Sequence, residues 1–297
     1  MEAGTAPAER RPAGRRLAGL FHGRPRLQVG ALLAGPIGWL VVGYLGSLAV
    51  LLITSFWTLG ELSGEIEQSF TLDNFKDVVE TPVYRTVAGR TIGIAALVTV
   101  TCALLAFPLA FYMAKVASPR AKGALIVAVL MPLWSSYLVK VFAWRGILSE
   151  EGIFNWAVDP LGISGPGYGL VAIWLVMTYI WLPYMIIPIY AGLERIPDTL
   201  LSASEDQGAR PLTTFRRVIL PLAFPAIVAG SIFTFSLTLG DFIAVGLVGS
   251  GEQFIGTVVY ANFTADLPFA AAFATVPVVV MVVYLLLARR LGAFEHL

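Results

Sequence analysis

Six apolar stretches without Asp, Glu, Lys or Arg dominate the sequence. They cover residues 27–60, 91–114, 123–139, 160–193, 218–240 and 267–288. A helix needs about 20 mostly apolar residues to cross a bilayer, so each stretch predicts one transmembrane helix. The third stretch is the shortest, and its helix requires Lys140 to extend its ammonium group toward an interface. The pattern therefore predicts an all-α, polytopic membrane protein with six transmembrane helices.

Positive charges indicate how these helices are oriented. Most of the 20 Lys and Arg residues fall in segments on the same side as the N-terminus. The exceptions are Lys76, Arg85, Arg90, Lys140 and Arg145. Because Lys and Arg are retained on the cytoplasmic side, both termini are predicted to be cytoplasmic. The chain then divides into a basic tail at 1–27, a membrane domain at 28–290 and a second tail at 291–297.

Composition excludes several classes of protein. Hydrophobic residues make up 57% of the 297 residues and charged residues 13%, with a mean hydropathy of +0.79, so a soluble domain is excluded. The net charge of +1 gives no reason to expect a nucleic-acid partner. The single cysteine, Cys102, rules out an intrachain disulfide, and the two histidines lie near the termini. With no phosphate-binding or nucleophile motif either, the sequence predicts neither an enzyme nor a bound metal or cofactor.

Prolines interrupt three successive predicted helices, at Pro108, Pro132 and the pair Pro183 and Pro188. A proline inside a span removes a backbone hydrogen bond and is tolerated where neighbours or a cavity satisfy the freed carbonyl. Three bent helices in succession favour a solute pathway over an inert membrane anchor.

The cytoplasmic loop at 194–225 predicts an elbow of two short helices. Asp198 can cap a first helix that runs to Gln207 and stops at Gly208, a residue suited to a left-handed bend. Pro211 suits the start of a second helix, which Pro221 is expected to end. Apolar, acidic and basic positions in this elbow (residues 198–221) fit docking into a groove of another protein, or contact with lipid headgroups.

The elbow resembles the EAA loop of bacterial ABC importer permeases, in which Glu-Ala-Ala is followed by a spaced glycine and then by Ile-x-Leu-Pro. Gly208 and the Leu220-Pro221 pair stand at the family separation, whereas Ser202 and Ser204 replace the glutamate and the second alanine. The resemblance implies a type I ABC importer permease whose elbow seats in a cleft of an ATP-binding subunit. The residues it assigns to that contact are Ser202, Ala203, Glu205, Asp206, Gly208, Ala209, Phe215, Leu220 and Pro221.

Three further runs are similar to the spermidine/putrescine subfamily, at residues 70–75, 131–144 and 240–249. This resemblance implies a permease of the bacterial inner membrane that forms half of a pathway for a polyamine or a related small cation. It also implies partners: a dimer of ATP-binding cassette ATPases that binds the ATP, a second permease for which a paralogue is favoured over a second copy of this chain, an extracytoplasmic solute-binding protein, and membrane lipid.

Candidate solute contacts are few. Asp241 is the one acidic residue inside the predicted spans, and an intramembrane carboxylate is a functional hypothesis by default. Trp134, Tyr137, Tyr179 and Trp181 could stack on a cationic solute, although aromatic side chains in spans also serve packing and interface belts. Lys140 is interpreted as structural.

Two other classes remain open from the residues alone. A secondary transporter that works without an ATPase would carry several intramembrane charges and inverted repeats. An inert scaffold would explain the apolar content but not the elbow. An importer permease for a different small solute is the third alternative.

Overall fold

A computed structural model describes residues 25–60 and 64–290. Most of the predicted tails at 1–27 and 291–297 lies outside these residues. The chain divides into two units between Ile53 and Thr54.

The first unit contains α1 (Pro25–Trp39), a π-helical stretch at Leu40–Leu45 and nearly all of α2 (Gly46–Thr54). Its helical residues Leu32–Thr54 are long and apolar enough to cross a membrane. Large apolar side chains from Val29 to Ile53 are exposed, as expected for a helix that meets lipid.

The second unit holds the remaining helices of the described chain. Their bounds are α3 Asp73–Glu80, α4 Pro82–Phe111, α5 Pro119–Trp134, α6 Tyr137–Leu148, α7 Ile153–Val158, α8 Leu170–Glu194, α9 Asp198–Asp206, α10 Pro211–Thr214, α11 Leu220–Gly240, α12 Ile243–Val248, α13 Ile255–Asn262 and α14 Leu267–Arg290. A π-helical turn at Tyr112–Val116 extends α4, another at Phe215–Ile219 joins α10 to α11, and a 3-10 turn at Asp159–Leu161 follows α7.

The predicted membrane architecture is confirmed, with a correction at the third span. In the described residues, five helical segments are long and apolar enough to span a membrane, and α5 and α6 make a sixth only as a pair bent by 94°. The sequence predicted one helix there. Ser135 and Ser136 are extended, and the Pro132 carbonyl accepts from the Ser135 hydroxyl at 2.9 Å and from the Lys140 ammonium at 3.1 Å. These donors satisfy a backbone group that the break leaves open.

The centre of the second unit is α8, which packs against α4 and α11. Its buried positions are apolar almost throughout, from Ala172 to Leu193. Side-chain bonds add specificity: the Trp174 indole donates to the Thr101 hydroxyl at 3.1 Å, and the Cys102 thiol donates to the Thr178 carbonyl at 3.5 Å. The three helices thus form a packed core that fixes the positions of both sites described below.

The outer connections are short and partly ordered by side chains. A two-residue ladder pairs β1 (Thr58–Leu59) with β2 (Ile66–Glu67). The buried Asn74 amide of α3 donates to the carbonyls of Ser55 and Trp57. On the exposed face of α3, the hydrogen bond from Lys76 holds the pKa of Asp73 below its usual range.

Candidate functional sites at Asp241 and the cytoplasmic elbow

The helix break at Asp241 creates the first site. Helix α11 ends at Gly240, Asp241 is extended (φ −74°, ψ 119°), and α12 begins two residues later. The Asp241 side chain is buried, with the residue 8% exposed. One carboxylate oxygen accepts from the Ala244 backbone N–H at 2.9 Å, and the other accepts from the Tyr137 hydroxyl at 2.5 Å. The carboxylate therefore accepts from the first turn of α12 and joins it to α6.

An open cleft of about 330 Å³ lies beside this carboxylate. Its lining consists of Tyr137, Trp181, Ser236, Leu237, Gly240, Asp241, Phe242 and Ile243. The Tyr137 ring stacks on Trp181 with centroids 5.9 Å apart and an angle of 18° between the planes. This Asp241 cleft offers one carboxylate and aromatic faces, and its lining contains no Lys or Arg from the described part of the chain. Both features favour a cation.

The structure separates the other two aromatic candidates from this cleft. Trp134 lies at the C-terminal end of α5 and is 77% exposed. Tyr179 packs on Trp144 with centroids 5.4 Å apart. Neither lines the Asp241 cleft. Their aromatic character in a span was the same as that of Tyr137, so the sequence could not distinguish them.

Phe242 is a lining residue that the sequence did not single out. Its ring stacks on Tyr260 of α13, with centroids 4.6 Å apart and 14° between the planes. A second pocket, of about 350 Å³, lies on that side of Gly240 and Phe242 and is lined by α13 and α14. The break at Asp241 is thus enclosed by side chains from far along the chain.

The elbow forms the second site. Helix α9 ends at Asp206, and Gly208 adopts φ +75°, the left-handed conformation that the bend requires. The Gly208 N–H donates to the Glu205 carbonyl at 2.8 Å, and the Ala209 N–H donates to the Ser204 carbonyl at 3.1 Å. The hydroxyls of Ser204 and Thr214 share a hydrogen bond of 2.9 Å, which joins α9 to α10. The two helices are therefore held together as predicted.

Two details of the predicted elbow are wrong. Asp198 does not cap α9: Pro197 is the N-cap residue, and the Asp198 carboxylate instead accepts from Lys115 at 2.7 Å. Pro221 does not end the second helix, because residues Pro211–Gly240 form one continuous helical segment. The π-helical turn at Phe215–Ile219 ends two residues before Pro221, whose nitrogen cannot donate the regular backbone hydrogen bond.

The outer surface of the elbow is mixed in charge. Ser202, Ala203, Glu205, Asp206 and Gly208 are exposed, Ala209 is partly buried, and Leu220 and Pro221 are exposed on the following helix. Leu212 is 60% exposed, beside the exposed Arg216 and Arg217. Phe215 turns the other way and packs edge-on against Phe107, with centroids 5.4 Å apart. The elbow thus presents an apolar and charged outer face and anchors its inner face on α4.

This fold, with a broken span at an acidic residue and a helical elbow on one side, defines a membrane permease. Residues 94–294 match the family described as binding-protein-dependent transport system inner membrane component, and the chain belongs to that family. It is therefore an ABC importer permease and a multi-pass inner-membrane protein. This result excludes the secondary transporter and the scaffold that the sequence left open.

Particular relatives extend the likeness over nearly the whole chain. The chain is 42% identical to the inner membrane ABC transporter permease protein YdcU of Escherichia coli K12, with 97% of each chain covered. It is 30% identical to the spermidine/putrescine transport system permease protein PotB of Salmonella typhimurium, over 86% of this chain and 90% of that one. Its fold matches a bacterial ABC transporter involved in alginate import with a TM-score of 0.72 at 17% identity, over 93% of this chain and 98% of the other.

Proposed function

We propose that this permease forms half of a membrane pathway for a polyamine or a related small cation, and that Asp241 contacts the solute. The observation that carries the proposal is the Asp241 cleft, in which a carboxylate lies among aromatic faces. A buried carboxylate attracts a cation strongly because little water screens it. The name of PotB, a spermidine/putrescine permease, supports the same class of solute.

The hydrogen bond from Tyr137 suggests how the site works. The Tyr137 hydroxyl and the Ala244 N–H both donate to the carboxylate. An ammonium group of the solute can replace the tyrosine hydroxyl as donor, and the Tyr137 and Trp181 rings then offer their faces to the chain of the solute. Among the aromatic candidates, this assigns a solute contact to Tyr137 and not to Trp134 or Tyr179.

The elbow is the contact with the ATPase in this proposal. ATP is bound and hydrolysed by a separate pair of ATP-binding cassette subunits, and the exposed elbow residues seat in a cleft of one of them. The mixed charges and the exposed Leu212 fit such a helix-in-groove contact. A paralogous permease supplies the other half of the pathway, and a solute-binding protein delivers the solute from outside.

The test is uptake of radiolabelled spermidine and putrescine by the complete complex in proteoliposomes, with ATP hydrolysis followed in parallel. Asp241→Asn keeps an acceptor for the Ala244 N–H but removes the charge. Charge-assisted hydrogen bonds contribute about 1.5 to 3 kcal/mol, so polyamine uptake should fall roughly tenfold or more.

The matched control is Asp266→Asn. Asp266 also accepts from a backbone N–H, that of Phe269 at 3.0 Å, but it does not line the Asp241 cleft. Its variant should transport normally. Wild-type uptake by Asp241→Asn would assign Asp241 a structural role. A wild-type complex that hydrolyses ATP and ignores polyamines would identify a permease for a different small solute.

A further inference from the structure

Lys115 holds the start of the elbow to the cytoplasmic end of the second predicted span. Its side chain is 10% exposed. The ammonium donates to the Ile196 carbonyl at 2.6 Å and to the Asp198 carboxylate at 2.7 Å. These two acceptors flank Pro197, the N-cap residue of α9. One partly buried cation thus contacts both the linker that enters the elbow and the first turn of its first helix.

A second contact joins the same two parts of the chain. Phe107 of α4 meets Phe215, in the second half of the elbow, edge-on at 87° between the ring planes. Lys115 and Phe107 therefore hold the two halves of the elbow separately. Because charge-assisted bonds and aromatic pairs both depend on geometry, the elbow cannot shift without α4 unless these contacts break.

The N-terminal third of α4 is bonded to the segment that follows Asp241. The fully buried Thr91 hydroxyl accepts from the Ile255 N–H at 3.0 Å and donates to the Val87 carbonyl at 2.8 Å. One residue earlier on α4, Arg90 forms an ion pair with Glu252. The first backbone N–H of α13 and the side chain of Glu252, in the loop before α13, are thus both bonded to α4.

The start of α13 also lies against the helix break. A Cβ added at Gly256 would stand 2.8 Å from the Gly240 carbonyl oxygen and 3.1 Å from the Asp241 backbone carbonyl. Displacement of Ile255 and Gly256 would therefore press on the backbone that holds Asp241, since packed interiors leave no free space to absorb it.

From these contacts we propose that α4 mechanically connects the elbow to the Asp241 break. The positioning residues are Lys115, on the π-helical turn that extends α4, and Thr91, in the N-terminal third of the helix. This inference rests on the proposed function of the elbow. The backbone connects the elbow directly to α11, which ends at Gly240 on one side of the break. The contacts through α4 connect the elbow to α13, which follows the break in the chain. Both sides of Asp241 therefore respond to one movement of the elbow.

The test compares uptake per ATP hydrolysed in proteoliposomes that contain the complete complex. Lys115→Met removes both donated bonds, and Thr91→Val is nearly isosteric but removes the acceptor for the Ile255 N–H. Each variant should retain ATP hydrolysis and lower uptake per ATP roughly tenfold. Lys115→Arg keeps the charge and the donors, so it should retain most of the wild-type uptake per ATP hydrolysed. The control is Lys76→Met, which removes an exposed ion pair with Asp73 that is remote from the elbow.

Amide hydrogen exchange of residues 198–207 distinguishes a failure of the connection through α4 from a failure of the proposed ATPase contact. Binding of the ATPase should slow exchange there in the wild-type complex, and the absence of that protection would contradict the elbow as the ATPase contact. Lys115→Met should speed exchange of the same residues roughly tenfold. A normal uptake ratio in either Lys115→Met or Thr91→Val would overturn the connection through α4, whatever the ATPase contact.

Discussion

The bend at Gly208 provides the sharpest test of the elbow. Its φ of +75° places it in the left-handed region, and no atom of the described residues lies within 4 Å of the position that a Cβ would occupy. A side chain at this position is therefore unfavourable because of the left-handed backbone and not because of a steric clash. Left-handed backbone costs an ordinary L-residue about 1 to 2 kcal/mol, and a β-branched residue is the least suited to it. Gly208→Val should therefore raise the ratio of open to closed bends roughly 5- to 30-fold relative to the wild type.

Opening the bend breaks two hydrogen bonds that close it. These run from the Gly208 N–H to Glu205 and from the Ala209 N–H to Ser204. The measurement is uptake by the complete complex at equal membrane abundance, with ATP hydrolysis in parallel. Gly208→Val should hydrolyse ATP with little uptake. Gly208→Asn is the matched control, because asparagine tolerates the left-handed region, and it should transport nearly normally. Equal activity of the valine variant and the wild type would refute the reasoning, as would equal damage in both variants.

Two further predictions concern topology and packing. A reporter enzyme fused after Arg290 should be cytoplasmic and one inserted at Gly64 should lie outside; the same compartment for both would contradict six crossings. Gly256→Ala should lower uptake and thermal stability, because its Cβ would meet the Gly240 carbonyl oxygen at 2.8 Å. Gly246→Ala also places alanine in a helix but has open space around its Cβ, so it should be neutral or slightly stabilising.

Local features of the sequence predicted much of this molecule. The lengths of the stretches without charged residues located the spans. This works because the cost of placing a charge in hydrocarbon depends on the residues of that stretch alone. Gly208 marked the bend for the same reason, since backbone conformation is a local property. The resemblance to the EAA loop then identified the family, which neither the lengths of the apolar stretches nor helix propensity could identify.

Three features that the local sequence could not predict depend on side-chain contacts between residues that are not neighbours in the chain. Asp198 has the chemistry of a cap, but Lys115 lies 83 positions away and binds its carboxylate. Tyr137 reaches Asp241 across 104 positions, so no local pattern could choose it over Trp134 or Tyr179. The break between α5 and α6 depends in part on Lys140, which donates to the Pro132 carbonyl eight positions earlier. Tertiary contacts of this kind override what neighbouring residues favour.

The unbroken helical segment Pro211–Gly240 has a geometric consequence for the size of the movement at the solute site. Its 30 residues, at about 1.5 Å per residue, make a lever arm about 45 Å long from the elbow to the residue before Asp241. A tilt of about 5° at the cytoplasmic end would sweep the far end through about 4 Å, more than the length of a hydrogen bond. A tilt of a few degrees at the elbow is therefore enough to make or break a contact with a bound solute.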